Sequence, residues 1–139
     1  MCMENRKKND EFRKIAEGLI ETEPELAAIR GSGVKIIYLE SDMKKKSDRE
    51  KVVMGECERV PPKNRWAIPF DFTITLYRPN IRGLSEGQVS VLLFHELLHV
   101  GISVGKKGEE NYYIRRHDLS DFKAIVDRFG TGWAETKEV

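Results

Sequence analysis

Residues 85–101, SEGQVSVLLFHELLHVG, constrain this chain more than any other stretch. Val89, Leu92, Leu93, Phe94, Leu97, Leu98 and Val100 cover nearly every side of the turn, so a helix here must be buried in a core. The ends carry helix signals. Ser85 is a good N-cap, Gln88 stands where it completes a capping box, and Leu84 is placed to staple onto Val89. Gly101 is the expected terminator.

Into this apolar helix the sequence sets His95, Glu96 and His99, an H-E-x-x-H pattern. Helical positions four apart lie about 40° from eclipsed and about 6 Å apart along the axis. Both imidazoles therefore leave one face, at a separation that a single ion can bridge, with Glu96 on the flank. Two His and a Glu are costly to bury unless they are paired or bound to a metal. In this arrangement two His ligate Zn²⁺ and the Glu handles the protons of an activated water.

A catalytic zinc takes three protein ligands and keeps one position open. The chain has three His, and the one outside the motif is His117. It directly precedes Asp118, a credible N-cap for a last helix, and the segment from His99 to His117 is long enough to loop out and return. His117 is the expected third ligand. The acidic alternatives are Glu109 and Glu110, in a Gly/Lys loop, and Asp118 and Asp121, better suited to capping or to orienting a ligand. The longer motif H-E-x-x-H-x-x-G-x-x-H is absent, since Ile102 and Gly105 stand where its Gly and His would be.

The remainder reads as one α+β domain, and 139 residues suit a single core. Phe12, Ile15, Ala16, Leu19 and Ile20 predict an amphipathic helix over residues 9–21, and a second short helix follows over 23–30. Strands are expected at 34–40, at 51–60 with Gly55 marking a possible bulge, and at 70–77, where apolar and polar residues alternate. Residues 1–8 read as frayed, 111–116 as extended, and 118–129 as an amphipathic helix closed by Gly130, with Trp133 packing the chain end back. Lys44, Lys45, Lys46, Arg49 and Lys51 make a basic loop; with no aromatic residues interleaved, it reads as a solvated connection. A net charge of +1 gives no reason to expect a nucleic-acid or membrane partner. The opening residues lack the apolar core of a signal peptide, which makes a cytoplasmic location the expectation. Cys2 and Cys57 alone form neither a disulfide framework nor a Cys-rich zinc site.

FDFTITLYRPN, LLFHELLHVG and YYIRRHDLSDFKAIVDRFG together resemble the putative phage metallopeptidase domain family of phages and prophages. The resemblance spans residues 25–134, leaving residues 1–24 as an N-terminal helical segment and 135–139 as a tail. It implies a zincin-like fold: N-terminal helices, a small mostly antiparallel sheet, the H-E-x-x-H helix and a C-terminal helix. It also implies His95, His99 and His117 as ligands of Zn²⁺ (or another first-row metal), Glu96 as the catalytic base, and a protein or peptide substrate in the cytoplasm of a bacterial host. Resemblance to zincins further places a sheet strand beside the cleft, with residues 70–77 as its candidate. Asp118, Tyr112 and Tyr113 are candidates for orienting a ligand or stabilising an oxyanion. The last block also resembles the H-G-x-x-F segment of SprT-like metalloproteases, with Asp118 in place of the Gly. Two alternatives stay open on the sequence: a zinc-binding structural module, and a DNA-associated protease of the SprT-like kind.

Overall fold

The computed structural model describes residues 4–117. In order these are β1 (Arg6–Lys8), α1 (Asp10–Thr22), α2 (Ala27–Arg30), β2 (Ile36–Ser41), β3 (Gly55–Arg59), β4 (Phe72–Tyr77), α3 (Arg78–Ile81), α4 (Glu86–Leu98), β5 (Val100–Val104) and β6 (Glu110–Ile114), with 3-10 turns at Pro24–Leu26 and Pro62–Asn64. The expected helix over 118–129, its Asp118 cap, Asp121, Gly130 and Trp133 lie outside the described residues.

Strands β1, β2, β4 and β3, in that order, form one sheet, and β5 and β6 form a separate hairpin. The pairings β1–β2 and β3–β4 are antiparallel, while the central pair β2–β4 is parallel. The sheet is therefore mixed. This order also corrects the expected cleft strand: β4 is enclosed by β2 and β3, so its backbone groups are committed on both sides, and the edges are β1 and β3.

Period-two alternation in β4 predicts one buried face and one wet face. Instead, Phe72, Ile74, Thr75, Leu76 and Tyr77 are all buried. The polar face is covered by charged side chains from distant segments. Arg6 donates to Thr75 Oγ1 at 3.2 Å and to Tyr77 Oη at 3.4 Å, and Lys45 lies over the Tyr77 ring at 5.5 Å. Aliphatic stems allow such residues to lie on a sheet while their charges find partners. Arg6 belongs to β1, within the segment expected to be frayed; its backbone pairs with β2 from Arg6↔Ser41 to Lys8↔Leu39. Lys45, from the basic loop, pairs with Glu56 of β3, and Asn80 Nδ2 ties the loop down through the carbonyls of Lys45 and Val53.

The other face carries the apolar core. Helix α1 starts where the side chain of Asn9 accepts from the Phe12 amide at 2.8 Å, satisfying one of the orphan donors of the first turn. Its buried stripe, Phe12 and Ala16, joins Leu92, Leu93, Phe94, Leu97 and Leu98 of α4 and Phe72, Ile74 and Leu76 of β4 in one cluster. Each large side chain fully buried there is worth about 1.5–3 kcal/mol, so α4 is locked by several such contacts. Its capping box forms as expected: Ser85 Oγ accepts from the Gln88 amide, and the Gln88 side chain accepts from the Ser85 amide.

Gly101 does not terminate α4. The helix ends at Leu98, with His99 as a C-cap of helical geometry (φ −73°, ψ −17°), and Gly101 lies within β5. It is small because it pairs with Tyr113, and a Cβ there would sit 2.4 Å from that aromatic ring. Gly55 likewise marks no bulge, since β3 pairs with β4 in unbroken register from Gly55↔Leu76 to Arg59↔Phe72.

Candidate metal centre

Near the end of α4 the helix carries its polar residues into the core. His95 is 0% exposed and Glu96 1% exposed. The helical dihedrals of the C-cap keep His99 in the i, i+4 relation to His95, and the two rings lie 5.1 Å apart, centroid to centroid.

His117 reaches them by way of the hairpin. The Arg115 amide donates to the His99 carbonyl at 2.7 Å, which extends the β5–β6 pairing by one more rung. The chain thus leaves the motif at His99, turns at the far end of the hairpin, and comes back beside it. Two residues later, His117 Nε2 stands 2.9 Å from His95 Nε2 and 3.0 Å from His99 Nε2. All three donor atoms fall within 4.8 Å of one another. The expected loop-out and return of residues 99–117 is this hairpin.

The donor chemistry fits a divalent cation. His99 Nδ1 lies 2.8 Å from the Arg115 carbonyl oxygen, which can only accept, so Nδ1 carries the proton. In the neutral ring this leaves the Nε2 lone pair directed at the cluster. A carbonyl behind a ligating imidazole, fixing its tautomer and orientation, is the usual support of a metal-binding His. Imidazole nitrogens converging at about 3 Å repel unless a proton or a cation lies among them, and three imidazoles with an open fourth position suit zinc or another first-row metal.

A family model described as Putative phage metallopeptidase matches residues 5–139. The chain belongs to this family. The match takes in α1 and the basic loop, beyond the 25–134 span on which the resemblance rests. No curated protein and no solved structure matches the chain. The family's description is that of a putative phage metallopeptidase, and among the described residues the three converging His could hold a metal ion. Among the described residues, no helix is long and apolar enough to cross a membrane.

A cleft of about 240 Å³ opens at the cluster, walled by Gly55 and Cys57 of β3, Glu96 and His99 of the motif, and Ile114 of β6. A Cβ on Gly55 would sit 2.7 Å from Leu76 Cδ2 and 3.2 Å from Glu96 Oε2, so glycine keeps room for that carboxylate. Cys57 is a free thiol whose pKa is raised well above its ordinary value, first by burial and then by the nearby Glu96 charge. Neither residue stands out in the sequence as part of a site; only the position of β3 against α4 reveals them. Tyr112 lies farther along β6 than Ile114 and does not line this cleft. Its hydroxyl donates to Glu110 Oε1 at 2.7 Å, and burial together with that bond pushes its pKa up to about 12. Tyr113 is 48% exposed and lies across Gly101.

Proposed function

We propose that this chain is a zinc-dependent peptidase in which His95, His99 and His117 hold the ion and Glu96 is the general base. The observation that carries this reading is the convergence of three imidazole Nε2 atoms beside a buried glutamate on the same helix. An ion bound there would supply Lewis-acid charge that acidifies a water and polarises a carbonyl. Glu96, walling the cleft, takes the proton of the attacking water and returns it to the leaving amine nitrogen. The proton on His99 Nδ1 stays with the Arg115 carbonyl, which keeps that ring from turning. With β3 at the edge of the sheet and on the wall of the cleft, an extended peptide pairs with its outer side.

Elemental analysis tests the ligand set. Wild-type protein purified without chelator is expected to carry about one zinc per chain. His117→Ala is expected to lose it, and Glu96→Gln to keep it while losing hydrolysis of an unfolded protein substrate. Full metal retention in His117→Ala would sink the three-His site; undiminished hydrolysis by Glu96→Gln would sink the general base.

A further inference from the structure

The cleft beside Glu96 does not end at Cys57. A second hollow, of about 220 Å³, is lined by Arg59, Val60, Pro62, Arg65, Asp71 and Tyr112. Cys57 and Arg59 are alternate residues of β3, as Ile114 and Tyr112 are of β6. Alternate residues of a strand face the same side, so the two hollows are successive segments of one groove between β3 and β6. One end holds Glu96 and His99, the other two arginines.

The far end is built to receive negative charge. Arg65 Nε donates to Asp71 Oδ1 at 3.0 Å, and Asp71 Oδ2 accepts from the Lys35 amide at 2.8 Å, so both oxygens of the carboxylate that lines this hollow among the described residues already have a donor. Glu58, next to Arg59 and on the border of the cleft beside Glu96, is 3.6 Å from Arg6. Tyr112 keeps Glu110 engaged, as does the Gly33 amide at 3.0 Å. Arg59 stands apart: its Nε is sealed from solvent with no hydrogen-bond partner, and none of the ion pairs among the described residues involves it. Arg59 lines the hollow without an ion-pair partner among the described residues, and the planar fork of an arginine is suited to meeting a carboxylate there.

We propose that the far end of this groove is a carboxylate-binding subsite centred on Arg59, which selects peptides carrying an acidic group a few residues from the bond to be cut. This rests on the peptidase reading above for the position of that bond. Gly55, beside Glu96, and Arg59 are four positions apart on β3, about 13 Å at 3.3 Å per residue. A peptide extended along β3 rises by the same amount per residue, so the acidic group falls roughly four residues from the bond at Glu96. The carboxylate is that of an Asp or Glu side chain or of a peptide C-terminus.

Binding, rather than cleavage, tests the subsite. The probes are acetylated, amidated hexapeptides of alternating Val and Thr with Asp, Asn or Lys at the fifth position, and the Asn peptide with a free C-terminal carboxylate. They are titrated into ¹⁵N-labelled Glu96→Gln protein, and the Nε–H signal of Arg59 is followed. The Asp peptide is expected to bind about 10-fold or more tightly than its Asn counterpart and to shift that signal. Arg59→Gln removes the preference, and Arg59→Glu turns it toward the Lys peptide. A gain on the Asn peptide from the free terminus alone would assign the subsite to chain ends. Equal binding of the amidated Asp and Asn peptides with no gain from the free terminus, no binding of any probe, or a preference that survives in Arg59→Gln would overturn the proposal. Metal content is measured separately. Peptide discrimination by a protein that binds no zinc would refute the peptidase reading and leave the subsite standing.

Discussion

The two ends of the histidine cluster are built by different means. His95 and His99 share a face because a helix repeats every 3.6 residues, and α4 is a helix for reasons contained within a dozen positions: a capping box at Ser85 and Gln88, then leucines that bury it. His117 arrives from 18 residues beyond His99, positioned by a hairpin whose strands close only because Gly101 makes room for the Tyr113 ring. Strand β3, which walls the cleft, is likewise brought in by distant partners. The pair of imidazoles set by local geometry is robust to change elsewhere, whereas the third imidazole and the cleft wall depend on tertiary contacts that single atoms can disturb.

The largest expected effect is at the cleft wall. Gly55→Ala places a methyl against the side chain of Leu76, which is fully buried and must shift within a packed core, and close to the Glu96 carboxylate. Overpacking of this kind costs about 1–3 kcal/mol. Chemical denaturation should show that loss, and hydrolysis should fall with it while zinc content stays at the wild-type level. Zinc lost together with activity would mean that β3 supports the ligands as well as Glu96.

Removal of a purely local support should do less. Ser85→Ala deletes one half of the capping box and is expected to cost about 1 kcal/mol of stability, with no change in zinc affinity, since His95 sits well beyond the first turn. A clear drop in affinity would show that the start of α4 reaches the site, and would blur the contrast between local and distant supports.

The smallest effect concerns β1. Arg6 hydrogen-bonds to Glu4 and holds its carboxyl below the ordinary carboxylate value, with a further contribution from Ser41, against the opposing effect of burial. A carboxyl lowered in the folded state stabilises above its unfolded pKa, near 4.5, and that stability is lost as pH falls through the lower folded value. Glu4→Gln should therefore flatten the acid side of the stability curve by less than about 1 kcal/mol and leave stability near pH 2 unchanged. An equal loss at all pH values would indicate that Glu4 acts through packing rather than charge.

The chain alone specified α1, α4 with its N-terminal capping box, the strand at β4, and the H-E-x-x-H pair, because each is written in the spacing of nearby residues: 3.6 in the helices, two in the strand. The chemistry of three His in one chain also pointed to His117. What only the tertiary structure decided is which strand forms the edge, what covers the polar face of β4, and how His117 returns. Strand order is set by which backbone edges find partners, and that depends on packing against α4 rather than on any one strand's pattern. The order in residues 6–8 is decided in the same way, by Thr75 and Tyr77, 69 and 71 positions downstream, offering acceptors to Arg6. Gly55 and Gly101 show the limit most clearly: as letters they signal turns, bulges and helix ends, and in the fold they are needed for the space that Glu96 and Tyr113 occupy.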